Sequence, residues 1–363
     1  MIKKLALKTT PNKILLITLR HLGDTILTTP LLSTLDTAFP SAQIDVLAYK
    51  NTASILENNP SAHQIITVTN QPSINEYKAL LIKIFRQYDL VVATQTGDRP
   101  FIYSLLASST RLSVVPQRTQ KGWWKRYFLQ GWSEFDDSNT HTVLQLLTIA
   151  DIINVNKIFH LTPPDQSTDL NVLPKTSKNY AVIHIYPLWT YKQWTKSGWL
   201  EVAKHLIFSD ITVVLTGGPN PDEIKHVSEF QQLLPKCAIN LAGKTSLAEL
   251  THIIQNAQLF IGPDTGTTHL AAATGTPTIA IYGPTNPIKW APWPINYNKD
   301  QNPFQKTGNQ VVNNVYLIQG QAPCVPCHLE GCERHRQSRS DCLDNLGAEQ
   351  VIQTIKKILT PYH

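Results

Sequence analysis

Scarcity is the first useful property of this 363-residue sequence. It has only five cysteines, four of which (Cys324, Cys327, Cys332, Cys342) crowd towards the C-terminus while Cys237 stands alone. That distribution excludes a disulfide scaffold, and in a reducing compartment such a cluster reads as free thiols or metal ligands before disulfides. Charged residues make up only 16% against 42% hydrophobic, so long disordered regions have little room and a sizeable core is expected. No apolar run approaches the roughly 20 residues that cross a bilayer, so membrane contact is expected to be peripheral. The opening MIKKLALKTTPNK returns to polar residues too soon for a secretory signal, and a cytoplasmic location is expected.

Motifs are missing as well. No G-x-G-x-x-G follows the first strand-like run and no G-x-x-x-x-G-K-[ST] occurs, which disfavours a dehydrogenase or a P-loop enzyme. No D-x-D is present, so an obligatory Mg²⁺ bridge to a diphosphate is not implied. The formal charge of +6 favours anionic partners such as nucleotides, phosphorylated sugars, anionic membranes or nucleic acid, without choosing among them.

What is present is rhythm. Short Ile/Val/Leu-rich runs alternate with segments of helical period: KILLITL, 29–38, QIDVLAY, 74–86 and DLVVATQ. A second series runs YAVIHIY, 197–208, ITVVLTGG, 222–233, CAINLAG, 247–256, AQLFIGPD, 267–274 and TPTIAIYG. This is the βαβ alternation of parallel sheets. Between the series lies LTPPDQSTDLNVLPKTS, which has the proline-rich, aperiodic composition of a linker. The expected organisation is α/β: a Rossmann-like domain at 1–165, a linker at 161–177, a second Rossmann-like domain at 178–345 and an amphipathic helix at 346–363, with a cleft between the domains. Ligands of such sheets sit at the carboxyl ends of the strands.

Two strand-to-helix turns stand out. Asp264, Thr265, Gly266, Thr267, Thr268 and His269 occupy one, combining hydroxyls, a small residue and the free N–H groups of a helix start, which together suit phosphate. The plainer alternative is a capped helix whose glycines shape turns. The other turn, ITLRHLGDTILTTP, places Arg20, His21, Gly23 and Asp24 directly after an apolar run. Here the plainer alternative makes Asp24 the N-cap of a helix at 25–38.

The sequence resembles glycosyltransferase family 9, the bacterial heptosyltransferases of lipopolysaccharide core assembly. The resemblance rests on KILLITLRHLGDTILTTPLLSTLDTAFPSAQIDVLAY, on Lys192 and Trp194 as K-x-W, on LAGKTSLAEL and on PDTGTTHLAAATGTPTIAIYGPTNP. R-H-x-G-D and CVPCHLEGCERH are most similar to the heptosyltransferase III branch. The resemblance implies a GT-B fold with the acceptor on the N-terminal domain and ADP-heptose on the C-terminal domain. It implies Asp24 as catalytic base with Gly23 allowing close backbone approach, and Lys192 as the cation beside the departing diphosphate. Pro187 and Leu188 stand where relatives often carry hydroxyl residues, so Thr190 is a candidate substitute. Nucleoside recognition is expected from Asp222 or Glu223 and from Lys244 and Thr245, although the two carboxylates equally suit the first turn of a helix. No metal is required; Cys324, Cys327, Cys332 and Cys342 nonetheless hold enough sulfur for a Zn²⁺ site, and small buried thiols explain them too.

The reaction implied is inverting transfer of heptose from ADP-L-glycero-β-D-manno-heptose to a heptose of the lipopolysaccharide inner core. Other readings are a heptosyltransferase I or II acceptor, another nucleotide sugar on the same fold, a two-lobed solute-binding protein lacking its export signal, and a nucleic-acid binder without a recognisable module. Arg118, Lys121, Lys125 and Arg126, interleaved with Trp123, Trp124, Tyr127, Phe128 and Trp132, form a candidate contact with the lipopolysaccharide core–lipid A acceptor or the inner membrane leaflet. On a helix beginning near Lys121 the same residues would be ordinary core, with Lys125 and Arg126 on a solvated face.

Overall fold

The computed structural model describes residues 1–164, 179–327 and 329–360. Most of the expected linker, 161–177, lies outside these residues, as do His328 and the last three residues. The chain divides into two compact units. The first comprises Met1–Pro164 with Asn298–Asn302; the second takes the described residues of Asp165–Tyr297 and Pro303–His363.

In the first unit the elements are β1 (Ile2–Lys3), β2 (Lys13–Thr18), α1 (Leu22–Ile26), α2 (Thr29–Ala38), β3 (Gln43–Tyr49), β4 (Gln64–Val68), α3 (Ile74–Ile84), β5 (Leu90–Ala93), α4 (Asp98–Ala107), β6 (Arg111–Val115), β7 (Gly131–Glu134) and α5 (Thr142–Ile153). Their sheet order is β1-β7-β6-β5-β2-β3-β4, parallel except for the β1–β7 pair. The second unit contains β8 (Tyr180–His184), α6 (Lys196–Phe208), β9 (Thr212–Thr216), α7 (Pro221–Gln231), β10 (Ile239–Asn240), α8 (Leu247–Gln255), β11 (Leu259–Pro263), α9 (Gly266–Ala273), β12 (Thr278–Tyr282), α10 (Pro287–Trp290), β13 (Gln310–Val312), β14 (Val315–Gln319), α11 (Asp341–Asp344) and α12 (Ala348–Leu359). Its order is β10-β9-β8-β11-β12-β14-β13, with β13–β14 antiparallel.

Each sheet is therefore doubly wound, and each reverses direction beside its first long strand. β2 pairs with β3 on one side and β5 on the other; β8 pairs with β9 and β11. Both strands are covered on two faces, which explains their uninterrupted apolar runs: Ile14, Leu15, Leu16 and Ile17 are fully buried, as are Ala181, Val182 and Ile183. Loops at the carboxyl ends of β2/β5 and of β8/β11 thus occupy the switch points where such folds bind ligands.

The segment expected to be helical at 29–38 is α2, whereas the alternative that ran one helix through 25–38 fails because the chain breaks between α1 and α2. Pro30 lies at the start of α2 and has no N–H to extend a helical ladder; the carbonyl of Ile26 instead accepts the Thr29 hydroxyl at 2.8 Å. The cap of α1 is His21, and Asp24 lies inside the first turn, so Asp24 is not an N-cap. The 118–132 stretch also departs from expectation, forming a 3-10 turn at Trp123–Phe128. That turn leads into β7.

Candidate functional site

The carboxyl end of β11 leads through Asp264 into α9, and the carboxyl end of β8 leads through a loop into a 3-10 turn at Thr190–Lys192. The two meet: Lys192 Nζ lies 2.6 Å from Asp264 Oδ2. Asp264 is only 6% exposed. Burial acts to raise its pKa, but the charge of Lys192, with His269 and a Thr285 hydroxyl contributing, holds it below the ordinary carboxylate value. The same negative charge adds to burial in driving the Tyr282 phenol well above its usual value.

The first turn of α9 is built from short polar residues. Thr265 is its N-cap, and its hydroxyl bonds the Thr268 hydroxyl (3.2 Å) rather than a backbone N–H. Thr268 in turn donates to the Pro263 carbonyl at 2.5 Å. Thr265, Gly266 and Thr267 are half-buried at the helix start, while Thr268 and His269 face inwards. The result is a helix N-terminus whose side chains do not occupy its leading N–H groups, beside a lysine held by a buried carboxylate. A helix N-terminus and an ammonium side by side have the chemistry to attract an anionic group.

The neighbouring loops converge on glycines. Glu223, in the first turn of α7, turns back onto Gly217 and Gly218: an added Cβ at either glycine would stand 3.1 Å from a Glu223 carboxylate oxygen. Burial raises the Glu223 pKa, opposed by the Gly218 N–H. Gly243 donates to the Gly217 carbonyl (3.0 Å), and its φ of +70° suits glycine. Asp222 is exposed, and its N–H is capped by the Asn220 side chain at 2.9 Å. Lys244 reaches back to the Asn240 carbonyl (2.9 Å), with Thr245 half-buried beside it. Thus Glu223 is the carboxylate drawn into the glycine loops, while Asp222 faces solvent.

One residue at this switch point escaped sequence reasoning. His184 ends β8, is buried, and its Nδ1 lies 3.3 Å from the Thr216 hydroxyl that ends β9. Burial lowers its pKa to about 4, so the ring is neutral at physiological pH. A histidine closing an otherwise apolar strand run was the available signal. Trp194 of the K-x-W is an anchor: it is buried, stacks edgewise on Trp199 and donates to the Leu346 carbonyl at 2.8 Å.

In the first unit, Asp24 lies at the carboxyl end of β2, 17% exposed, with Arg20 Nη1 4.0 Å away. His21 is exposed, and its carbonyl accepts both the N–H and the hydroxyl of Thr25. Gly23 takes part in α1, where its carbonyl accepts the Leu27 N–H at 3.2 Å. No left-handed conformation is needed there, so Gly23 contributes small size alone.

The 118–132 stretch is arranged inside out relative to expectation. Lys125 is buried, paired with Asp98 at 2.7 Å and bonded to the Thr96 carbonyl. Arg126 is buried too, bonding Glu134 (3.0 Å), the Trp123 carbonyl (2.9 Å) and the Pro116 carbonyl (2.7 Å) while lying over the Trp132 ring. These two side chains hold the turn in place, their charges paired with Asp98 and Glu134. Arg118, Lys121, Trp123, Trp124, Tyr127 and Phe128 are the exposed members. A short turn cannot bury aromatics on a helical face, so they remain outside.

Among the described residues no group of three or more His, Cys, Asp or Glu side chains is placed to hold an ion. Cys324 and Cys332 are exposed, Cys327 is half-buried, and the Cys342 thiol is buried and pushed up to about 12 by burial and the neighbouring thiols.

A family model described as glycosyltransferase family 9 (heptosyltransferase) matches residues 141–316. Lipopolysaccharide heptosyltransferase 3 of Escherichia coli is 32% identical over 296 residues, covering 77% of this chain and 85% of that protein. The solved glycosyl transferase family 9 structure from Veillonella parvula matches with a TM-score of 0.75 at 19% identity, covering 96% of this chain and 97% of that one. E. coli heptosyltransferase WaaC with ADP matches with a TM-score of 0.71 at 20% identity, covering 95% and 99%. The fold is the GT-B fold of these enzymes, and the chain is a glycosyltransferase that belongs to family 9, the heptosyltransferase family.

Proposed function

We propose that this glycosyltransferase moves heptose, with inversion, from ADP-L-glycero-β-D-manno-heptose to a heptose of the lipopolysaccharide inner core, as a heptosyltransferase III. The observation that carries the reading is Lys192 held by buried Asp264 beside the open N-terminus of α9. The 32% identity to heptosyltransferase 3 supports the choice of acceptor.

In this reading the second unit holds the donor. The N–H groups leading α9 and the Lys192 ammonium take the diphosphate, Glu223 in its glycine loops takes the ribose hydroxyls, and the backbone near Lys244 and Thr245 meets adenine. The first unit takes the acceptor. Asp24 accepts the proton of an acceptor hydroxyl as that oxygen bonds to C1 of heptose; the bond from C1 to the diphosphate breaks, and ADP leaves with the electron pair. Lys192 and the helix N-terminus stabilise the charge that develops on ADP. Arg20 and exposed His21 stand ready for phosphate groups of the acceptor. No cofactor beyond the donor sugar is invoked.

An acceptor anchored by lipid A brings the enzyme to the inner face of the cytoplasmic membrane, with no role for nucleic acid. Among the described residues no helix is long and apolar enough to cross a membrane. We assign the contact to exposed Trp123, Trp124, Tyr127 and Phe128 with Lys121, amphipathic side chains suited to an interface.

The decisive experiment incubates the enzyme with ADP-heptose and a panel of truncated core acceptors and weighs the products. One added heptose on an acceptor already carrying the inner-core heptoses supports the reading. Gain on the heptose-free or singly substituted acceptor would identify a heptosyltransferase I or II, and no gain on any acceptor would overturn the donor or the activity.

A further inference from the structure

The loop that carries Lys192 is supported from far along the chain. Its own turn is closed by Lys192 N–H to the Trp189 carbonyl (3.0 Å) and Gln193 N–H to the Thr190 carbonyl (2.9 Å). From 149 positions away, the Ser340 hydroxyl donates to the Tyr191 carbonyl at 2.7 Å. The Arg336 guanidinium lies over the Trp189 ring, 4.3 Å from its centre. At Gly331, with φ +86°, an added Cβ would come within 3.0 Å of Tyr191 Cβ. Three contacts from one segment therefore flank the residue immediately before Lys192 and the start of its turn.

That segment is folded on itself, so it can act as a firm strap. Cys332 N–H donates to the Arg339 carbonyl (2.9 Å), the Ser338 hydroxyl to the Glu330 carbonyl (3.0 Å), Arg336 Nε to Glu330 Oε1 (3.0 Å) and Asp341 N–H to Cys332 Sγ (3.4 Å). The strap ends where the Leu346 carbonyl receives Trp194 Nε1, fixing the far side of the same loop. Ser340 itself is buried, whereas Arg336 is half exposed.

We propose that Ser340 and Arg336 are positioning residues for Lys192: by holding the Tyr191 carbonyl and the Trp189 ring, they set where the ammonium stands against Asp264 and the donor diphosphate. The inference rests on the assignment of Lys192 to that diphosphate. A lysine at the end of four rotatable bonds keeps its charge in register only if its backbone is fixed, and a displacement of about 1 Å in such a site can cost about a hundredfold in rate. The cysteine-bearing segment thereby acquires a role in the donor site.

The test uses the full-length enzyme and titrates ADP by calorimetry, alongside kinetics with both substrates. Ser340→Ala should weaken ADP binding about fivefold, the effect of one hydrogen bond, while leaving acceptor KM unchanged. Ser340→Thr, which keeps the hydroxyl, should restore affinity. Arg336→Ala, at a half-exposed residue, should show a smaller loss in the same direction and keeps the test available if Ser340→Ala folds poorly. In a Lys192→Ala background neither substitution should weaken ADP further, because both act through the lysine. Unchanged ADP affinity in folded Ser340→Ala and Arg336→Ala, or losses that add to that of Lys192→Ala, would overturn the inference. If Lys192→Ala itself binds ADP normally, the fault lies earlier, in assigning Lys192 to the diphosphate.

Discussion

Two lysine–aspartate pairs, one in each unit, have nearly the same length and opposite orientation. Lys125 meets Asp98 at 2.7 Å, with side chains 6% and 83% exposed; Lys192 meets Asp264 at 2.6 Å, with side chains 19% and 6% exposed. In the first the lysine is buried and the carboxylate faces water. In the second the carboxylate is buried and the lysine is the more accessible partner. A buried ammonium bonded to the Thr96 carbonyl ties a turn to α4 and offers no charge to a ligand. A buried carboxylate behind a partly accessible ammonium keeps the lysine aimed. We propose that which partner lies inside separates a staple from a binding group, since pair distance alone does not distinguish the two.

The sharpest way to test that contrast is to remove the accessible lysine. Lys192→Ala should lower kcat/KM for ADP-heptose about a thousandfold, the upper range for removing one group that stabilises developing charge, with weaker ADP binding included. Kinetics showing an effect on acceptor affinity alone would take Lys192 out of the donor site. Asp24→Asn should cost about a hundredfold in turnover and leave ADP affinity intact, as expected for loss of a general base. Near-wild-type turnover in a folded Asn variant would remove Asp24 from the mechanism.

The contrast also shows what could be read in the sequence. The alternating apolar runs gave away both sheets, because strands covered on both faces must be continuously hydrophobic, and β2, β3, β8, β9, β11 and β12 fall within the expected runs. The turns at Asp24 and Asp264 were visible as polar residues breaking those runs. Orientation was not visible: Lys125 and Lys192 both look like ordinary lysines beside aromatics, and only the fold brings Asp98 to one and Asp264 to the other. The start of α2 at Thr29 was legible from the helical period and agrees with Pro30 in its first turn; only the alternative that made Asp24 an N-cap ran the helix back to 25. The contacts of Ser340 with Tyr191 join residues too distant for any local pattern to reveal.

His184 offers a smaller effect that tests the same switch point through stability. Its folded pKa is about 4 against an unfolded value of 6.5, so the unfolded chain binds more protons between those values. The stability linked to this group is complete above the unfolded value and declines as pH falls towards the folded one. By pH 5 the loss relative to pH 7 should be about 2 kcal/mol. Urea unfolding at the two pH values should show that difference reduced in His184→Gln. An equal pH dependence in enzyme and variant would mean that the ring is not buried as a neutral group.

The smallest expected effect belongs to the staple. Lys125→Met keeps a similar volume over the Phe101 ring, which the ammonium now faces at 5.6 Å, and gives up the bond to Thr96 and the pair with Asp98. The ion pair contributes little because Asp98 is exposed and its charge is screened by water. The lost hydrogen bond costs about 1 kcal/mol, and relief from burying an ammonium offsets part of it. Thermal unfolding should therefore show a loss of at most about 1 kcal/mol, with ADP affinity and turnover on a soluble, delipidated acceptor unchanged. Liposome association should persist, since the exposed Trp124, Tyr127 and Phe128 remain. A fall in donor affinity in this variant would erase the distinction between the two pairs, and a fall in acceptor affinity alone would return Lys125 to the acceptor side despite its burial.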